Sequence, residues 1–234
     1  MYALLNSYAD QRFLLTNPGA YSMTYNGLVM AVEKRRSHGW QAFGSYTLSR
    51  ASGLQSSGGA AAGGAQVSTV APPPGPGGLT YGRDPNDLTN AGGRLPNDRP
   101  HMFRTMVSID VPKTGFVLGA NLQAFSGKPW AATAQVALPQ NQTQRIQLEP
   151  RGARRLSSQT LLDVRLSRAI SIGKAGRLDL LLDVLNVLNE AAEEGLVSDT
   201  LTTETVARNA TFGQANFFVD PRRVMLGLRL NLGR

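Results

Sequence analysis

The stretch RVMLGLRLNL, residues 223–232, decides how the rest of the chain reads. Val224, Leu226, Leu228, Leu230 and Leu232 fall on one parity; Arg223, Met225, Gly227, Arg229 and Asn231 fall on the other. A repeat of two is that of a β-strand, whose successive side chains point to opposite faces, whereas a helix would bring apolar residues round every three or four positions. Working upstream, the same alternation recurs over residues 177–186, where Leu178, Leu180, Leu182 and Val184 oppose Asp179, Leu181, Asp183 and Leu185. It recurs over 162–170, with Leu162, Val164, Leu166 and Ile170 against Asp163, Arg165, Ser167 and Ala169, and again over 116–124, 103–111 and 40–48. Leu28, Met30 and Val32 make the weakest case, as a seventh strand.

The connections carry as much information as the strands. Ser37-His38-Gly39, Pro112 to Gly115 and Gly173 to Gly176 are short polar turns containing Gly or Pro, as hairpins require. Between them lie long connections at about 53–98, 131–157 and 189–220. Short and long therefore alternate, which in an up-and-down antiparallel sheet puts every tight turn on one rim and every long loop on the other. A compact soluble domain rarely holds three loops longer than about 15 residues. Strands of about ten residues, apolar on one face and small or polar on the other, with this asymmetry of loops, are the pattern of an outer-membrane β-barrel. In hydrocarbon every unpaired backbone amide costs several kcal/mol, so only a sheet paired all the way round can cross.

Composition agrees with that reading. Of 234 residues 41% are hydrophobic and only 17% charged, yet no apolar run approaches the roughly 20 residues of a membrane helix. The absence of cysteine excludes disulfides, thiolate metal sites and a Cys nucleophile. The net charge of +8 comes from arginines scattered over strand ends and turns, with no basic helix or RNA-binding motif, so nucleic acid is not an expected partner.

Four local strings, in order, resemble the C-terminal barrel of TonB-dependent outer-membrane receptors, especially the Oar-like group with a carboxypeptidase-regulatory-like N-terminal domain. Tyr25-Asn26-Gly27-Leu28 through Glu33-Lys34-Arg35, then Gly39-Trp40 to Ser49-Arg50, looks like a strand pair of that family. Asp98-Arg99-Pro100-His101-Met102-Phe103 resembles the lead-in to its next strand, with Pro100 in place of the usual basic residue. Leu178 to Asn189 resembles a strand ending in paired asparagines, and Asp220 to Leu230 its closing strand, here finishing on Leu232 where an aromatic is usual. The resemblance implies an all-β, antiparallel up-and-down transmembrane barrel of which residues 1–234 form a C-terminal part, about seven to eight strands, with short periplasmic turns, long extracellular loops, and the plug domain and signal peptide outside it. It also implies the bacterial outer membrane as location. Implied partners are outer-membrane lipid, the TonB system acting through a plug, the barrel-assembly machinery and a small-molecule ligand. The expected work is uptake of a nutrient, with no bond made or broken.

Under this register Asp163, Arg165, Asp179, Asp183 and Arg229 point into the lumen. Asp179 and Asp183 lie on one face of one strand about 13 Å apart, beyond the roughly 5–9.5 Å of a glycosidase pair; salt links to Arg165, Arg177 and Arg229 are the plainer reading. His38 and His101 stand in unrelated segments, no nucleophile elbow appears, and no catalytic residue, metal site or cofactor is expected. The Gly-, Ala- and Pro-rich segment from Gly58 to Gly78 lacks the Gly-Lys-Ser/Thr ending of a phosphate loop and reads as a spacer. Asp84 to Asp87 and Asn97-Asp98 offer oxygens to calcium or simply form turns. Trp40, Tyr46, Phe103, Phe116, Trp130, Phe217 and Phe218 are expected near strand ends, where aromatic girdles sit. Alternatives are a smaller complete barrel in which residues 2–16 add an eighth strand, serving as passive channel or adhesin; a soluble β-sandwich binding module; and an outer-membrane hydrolase.

Overall fold

The structure is a computed structural model that describes residues 22–54, 89–138, 142–173, 176–201 and 208–232. Seven long strands follow one another in an antiparallel meander. In chain order the elements are β1 Met23–Ser37, β2 Trp40–Leu54, the short β3 Gly92–Arg94, β4 His101–Val111, β5 Phe116–Phe125, β6 Pro129–Trp130, β7 Thr133–Leu138, β8 Gln142–Gln147, β9 Arg154–Arg155, β10 Gln159–Ser171, β11 Gly176–Leu185, β12 Glu193–Leu196, β13 Ala215–Phe218 and β14 Arg223–Leu232. The main sheet runs β1-β2-β4-β5-β10-β11-β14, with β3 added beside β2. Its end strands are not paired with each other, and because each neighbour reverses direction, β1 and β14 run the same way. The fold is therefore all-β and antiparallel, as the alternation requires; the sheet is open among the described residues.

Register turns the sequence alternation into two chemically different faces. Trp40, Ile109, Leu118, Leu166, Leu182 and Leu226 are direct neighbours across six strands, and Ala42, Val107, Ala120, Val164, Val184 and Val224 form the row above them. This is the aliphatic face. Nothing described covers it: Leu226 is 84% exposed and Val32 76%. A leucine left in water forgoes about 1.5–3 kcal/mol of burial, so a face built this way needs an apolar medium against it. Among the described residues three cations intrude: Arg50 at the long-connection end of β2, and Lys34 and Arg168 near the tight turns, where a long side chain can reach the rim. Lys34 lies 3.9 Å from the Trp40 ring centroid and bonds to Ser37, while the Arg168 guanidinium lies 5.0 Å from that of Phe116.

The opposite face is mixed. One row of register partners is Gln41, Ser108, Gly119, Arg165, Asp183 and Met225; another contains Phe43, Met106, Asn121 and Asp163. The buried apolar core lies on neither face. Ala51, Ala91, Leu95, Ala131, Ala132, Ala134, Leu156, Ala192 and Leu196 all sit at the end of β2 or in the long connections, so the interior is a small plug of residues at one rim.

The two rims differ as the loop lengths imply. At the tight-turn rim His38 and Gly39 both have positive φ, 54° and 80°, the requirement of a two-residue type I′ hairpin between Ser37 and Trp40. Lys113 and Gly115, at 65° and 73°, serve the next turn. At the other rim the long connections contain structure that the alternation did not reveal: β6 pairs with β9, β7 with β8 and β12 with β13. These strands have two to six residues, too few to display a period. Gly93 bridges to Arg151 so closely that a Cβ would stand 2.1 Å from the Arg151 carbonyl oxygen, which ties two connections backbone to backbone. The Gly58–Gly78 spacer, Asp84 to Asp87 and residues 2–16 lie outside the described residues.

Candidate functional site

The mixed face lines a trough of about 750 Å³ that touches all seven strands, from Arg35 on β1 to Met225 on β14. Gly119 at its centre, with no side chain, leaves room, and Asn121, Asp163, Arg165 and Asp183 supply polarity. The five residues expected to share a face do so. Arg165 and Asp183 are register partners on β10 and β11, and Asp179 and Arg229 are partners on β11 and β14.

Their contacts are specific. Arg165 grips Asp183 with two hydrogen bonds, Nε to Oδ1 at 2.5 Å and Nη2 to Oδ2 at 2.8 Å, the fork geometry that makes Arg–carboxylate pairs strong and directional. Asp183 is 9% exposed and lies at the floor of the trough, while the Arg165 side chain above it is open to the trough. Asp179 takes Arg177 Nε at 2.5 Å and Asn231 Nδ2 at 3.2 Å, and Arg229 lies opposite in register without an ion pair to it. Asp163 accepts the backbone N–H of Asn186 at 2.9 Å and the Asn121 amide at 3.5 Å.

Asn186 explains a string that was legible only as a pattern. It takes φ 50° where β11 ends; its side chain donates to the carbonyls of Glu190 and Asp220 and accepts from the Glu190 N–H, all at 2.9 Å. Asn189, at φ 53°, accepts from the Arg222 N–H at 3.1 Å. Asparagine tolerates left-handed backbone and can bond its own neighbourhood, so this pair turns the chain and pins the start of β14 to the end of β11.

The long-connection rim is closed by two carboxylates that sequence reading missed as a unit. Asp98, with its side chain fully buried, accepts the Ala51 N–H at 2.6 Å and pairs with Arg155 and, at 3.6 Å, with Arg94; Arg155 also donates to the carbonyls of Asp98 and Gly127. Glu194 on β12 pairs with Lys128 and, at 3.7 Å, with Arg99, and receives the Gln159 amide. Burial alone would raise the Glu194 carboxyl, but the hydrogen bonds from Lys128 and Gln159, together with the charges of Lys128 and Arg99, outweigh it and hold the group below the ordinary carboxylate range. Arg99 is lowered by burial, which the charge of Glu194 opposes and that of Arg104 reinforces. These groups join segments up to 66 residues apart in sequence, so no local spacing could have announced them.

Other expectations resolve individually. His38 occupies its turn, and His101 sits beside Tyr46, Nδ1 to hydroxyl 2.6 Å. The described residues contain no group of three or more metal-ligating side chains. Asp98 is spent on arginines and has no oxygen to offer calcium. Trp40, Tyr46, Phe103 and Phe116 fall in rows of the aliphatic face, whereas Trp130, Phe217 and Phe218 belong to β6 and β13 and are not part of a sheet-borne girdle. No family model, curated protein or solved structure matches the chain.

Proposed function

We propose that the chain forms part of the wall of an outer-membrane β-barrel of the TonB-dependent receptor type, in the bacterial outer membrane, and contributes lumen surface and external loops to uptake of a small-molecule nutrient. The observation that carries this reading is the contrast of the two sheet faces: an uncovered aliphatic surface on one side and a charged, hydrogen-bonded trough on the other. Lipid is the medium that suits the first, and water or a transported solute the second. The aliphatic face would lie against hydrocarbon, the tight turns on the periplasmic side, and the structured connections outside. Arg165 with Asp183 and Arg177 with Asp179 would line the passage. No step of this work needs a catalytic group. Strands beyond the seven described close the wall, and energy from the TonB system arrives through a plug carried elsewhere in the receptor.

The full chain, purified once in plain buffer and once in a non-ionic detergent, tests the proposal. In buffer it should aggregate through its aliphatic face and open edges. In detergent it should run on a gel as a compact band that shifts on boiling. A monomer in plain buffer that unfolds cooperatively without detergent would overturn the barrel reading and favour a soluble module.

A further inference from the structure

Beyond the trough a second cavity, of about 400 Å³, opens toward the long-connection rim, and the two share Asp163 and Leu185 in their walls. Anything passing along the mixed face toward that rim meets this junction. The apolar wall of the upper cavity is Leu161, Leu185, Phe217 and Phe218, and both phenylalanines stand exposed, at 65% and 50%, on β13. Two adjacent exposed aromatics have no role in the buried rim core.

The charges around the cavity are unequally satisfied. Glu194 is held by Lys128, Arg99 and Gln159. Asp220 has Arg223 at 3.0 Å, which also occupies the one cation on this wall. Of the three inward aspartates on β10 and β11, Asp183 and Asp179 carry arginines, but Asp163 has no ion pair among the described residues. A carboxylate has about four acceptor sites, and the Asn186 N–H fills one well while the Asn121 amide is at the limit of bonding distance. The remaining capacity lies where the two cavities meet.

We infer that the upper cavity is a binding site for a small organic cation with an apolar or aromatic body, its ammonium or similar group on Asp163 and its body against Phe217 and Phe218. This inference rests on the proposed function only for its role, as the ligand's last or first station on the lumen wall; the site itself is defined by the cavity. Cation–π attraction and a charge-assisted contact in one pocket select for positive charge. Selection against anions follows from Asp163 and from the pairing of Arg223 with Asp220.

Benzyltrimethylammonium, benzyl alcohol and benzenesulfonate, titrated by calorimetry into the full chain in non-ionic detergent with empty micelles as blank, test it. The cation should bind at least about tenfold more tightly than the neutral probe, as a charge-assisted contact requires. Asp163→Asn keeps an acceptor for the Asn186 N–H and should reduce the cation to the level of the neutral probe. The Phe217→Ala/Phe218→Ala pair, at exposed positions, should weaken cation and neutral probe together. Equal binding of all three probes, tighter binding of benzenesulfonate, or an Asp163→Asn variant that binds like the parent would overturn the inference. Boiling-dependent gel mobility of the same samples reads the barrel separately; if the chain proves soluble, the titration runs in buffer and judges the site alone.

Discussion

Asp98 and Asp163 show how differently one residue type is used within a single sheet. Asp98 is fully buried beneath two partly exposed arginines, and removing its carboxylate leaves both guanidiniums and the Ala51 N–H without their acceptor. Asp98→Ala should therefore lower stability by about 3 kcal/mol, read as an earlier unfolding transition in detergent. Glu194 makes a pH-dependent contribution whose sign follows from its depressed carboxyl. The stability it adds is complete above about pH 4.3, the ordinary value for Glu, and is lost as the pH falls further through the folded-state value. Glu194→Gln should cost about 2 kcal/mol at pH 6, the scale of a charged hydrogen bond left unmade. The melting temperatures of parent and variant should converge as the pH falls through the depressed value of Glu194; a difference that persists into the acid limit would show that Glu194 acts by packing alone. At Asn186 the left-handed backbone and three side-chain bonds together predict that Asn186→Ala loosens the β11–β14 junction, seen as faster amide exchange at Glu190.

At the scale of the element, β14 gives the sharpest comparison, because neighbouring residues face different media. Leu226→Arg should destabilise the detergent-folded chain by about 2–4 kcal/mol, the cost of a cation in mid-hydrocarbon, while Met225→Arg, pointing into the trough beside Asp183, should be tolerated. Equal effects of the two substitutions would remove the case for lipid on the aliphatic face. Strand phase was legible from sequence for a physical reason: Leu226, Leu182 and Leu166 share a row only because a period of two cannot slip by one residue without turning every side chain over. β1 was underread, since its alternation shows only at Leu28, Met30 and Val32, yet its ladder with β2 runs from Met23 to Lys34 and resumes at Ser37. The pairs β6–β9, β7–β8 and β12–β13 escaped because two to six residues are too few to display a period, and Arg155 of β9 and Glu194 of β12 are placed by bonds to Asp98 and Lys128 that leave no local repeat. The trough residues were found by parity; the upper cavity was not, because Phe217 and Phe218 on β13 line one wall with Asp163 on β10, more than fifty residues away in sequence.

For the molecule as a whole, the apolar residues are distributed as in no water-filling core: the buried ones are mostly alanines at one rim, and the large aliphatics stand outward. Such a chain owes its shape to a ladder of backbone bonds and to its surroundings, and its stability should rise and fall with detergent more steeply than with core substitutions. The common direction of β1 and β14 sets a rule of arithmetic. An antiparallel ladder joins only strands of opposite sense, so the two edges cannot meet directly, and any wall that closes between them with antiparallel ladders throughout adds one strand, three, five or another odd number. Growth by whole hairpins adds two at a time and can never remove that mismatch; any circle that closes around these seven strands must take in a strand without a hairpin partner.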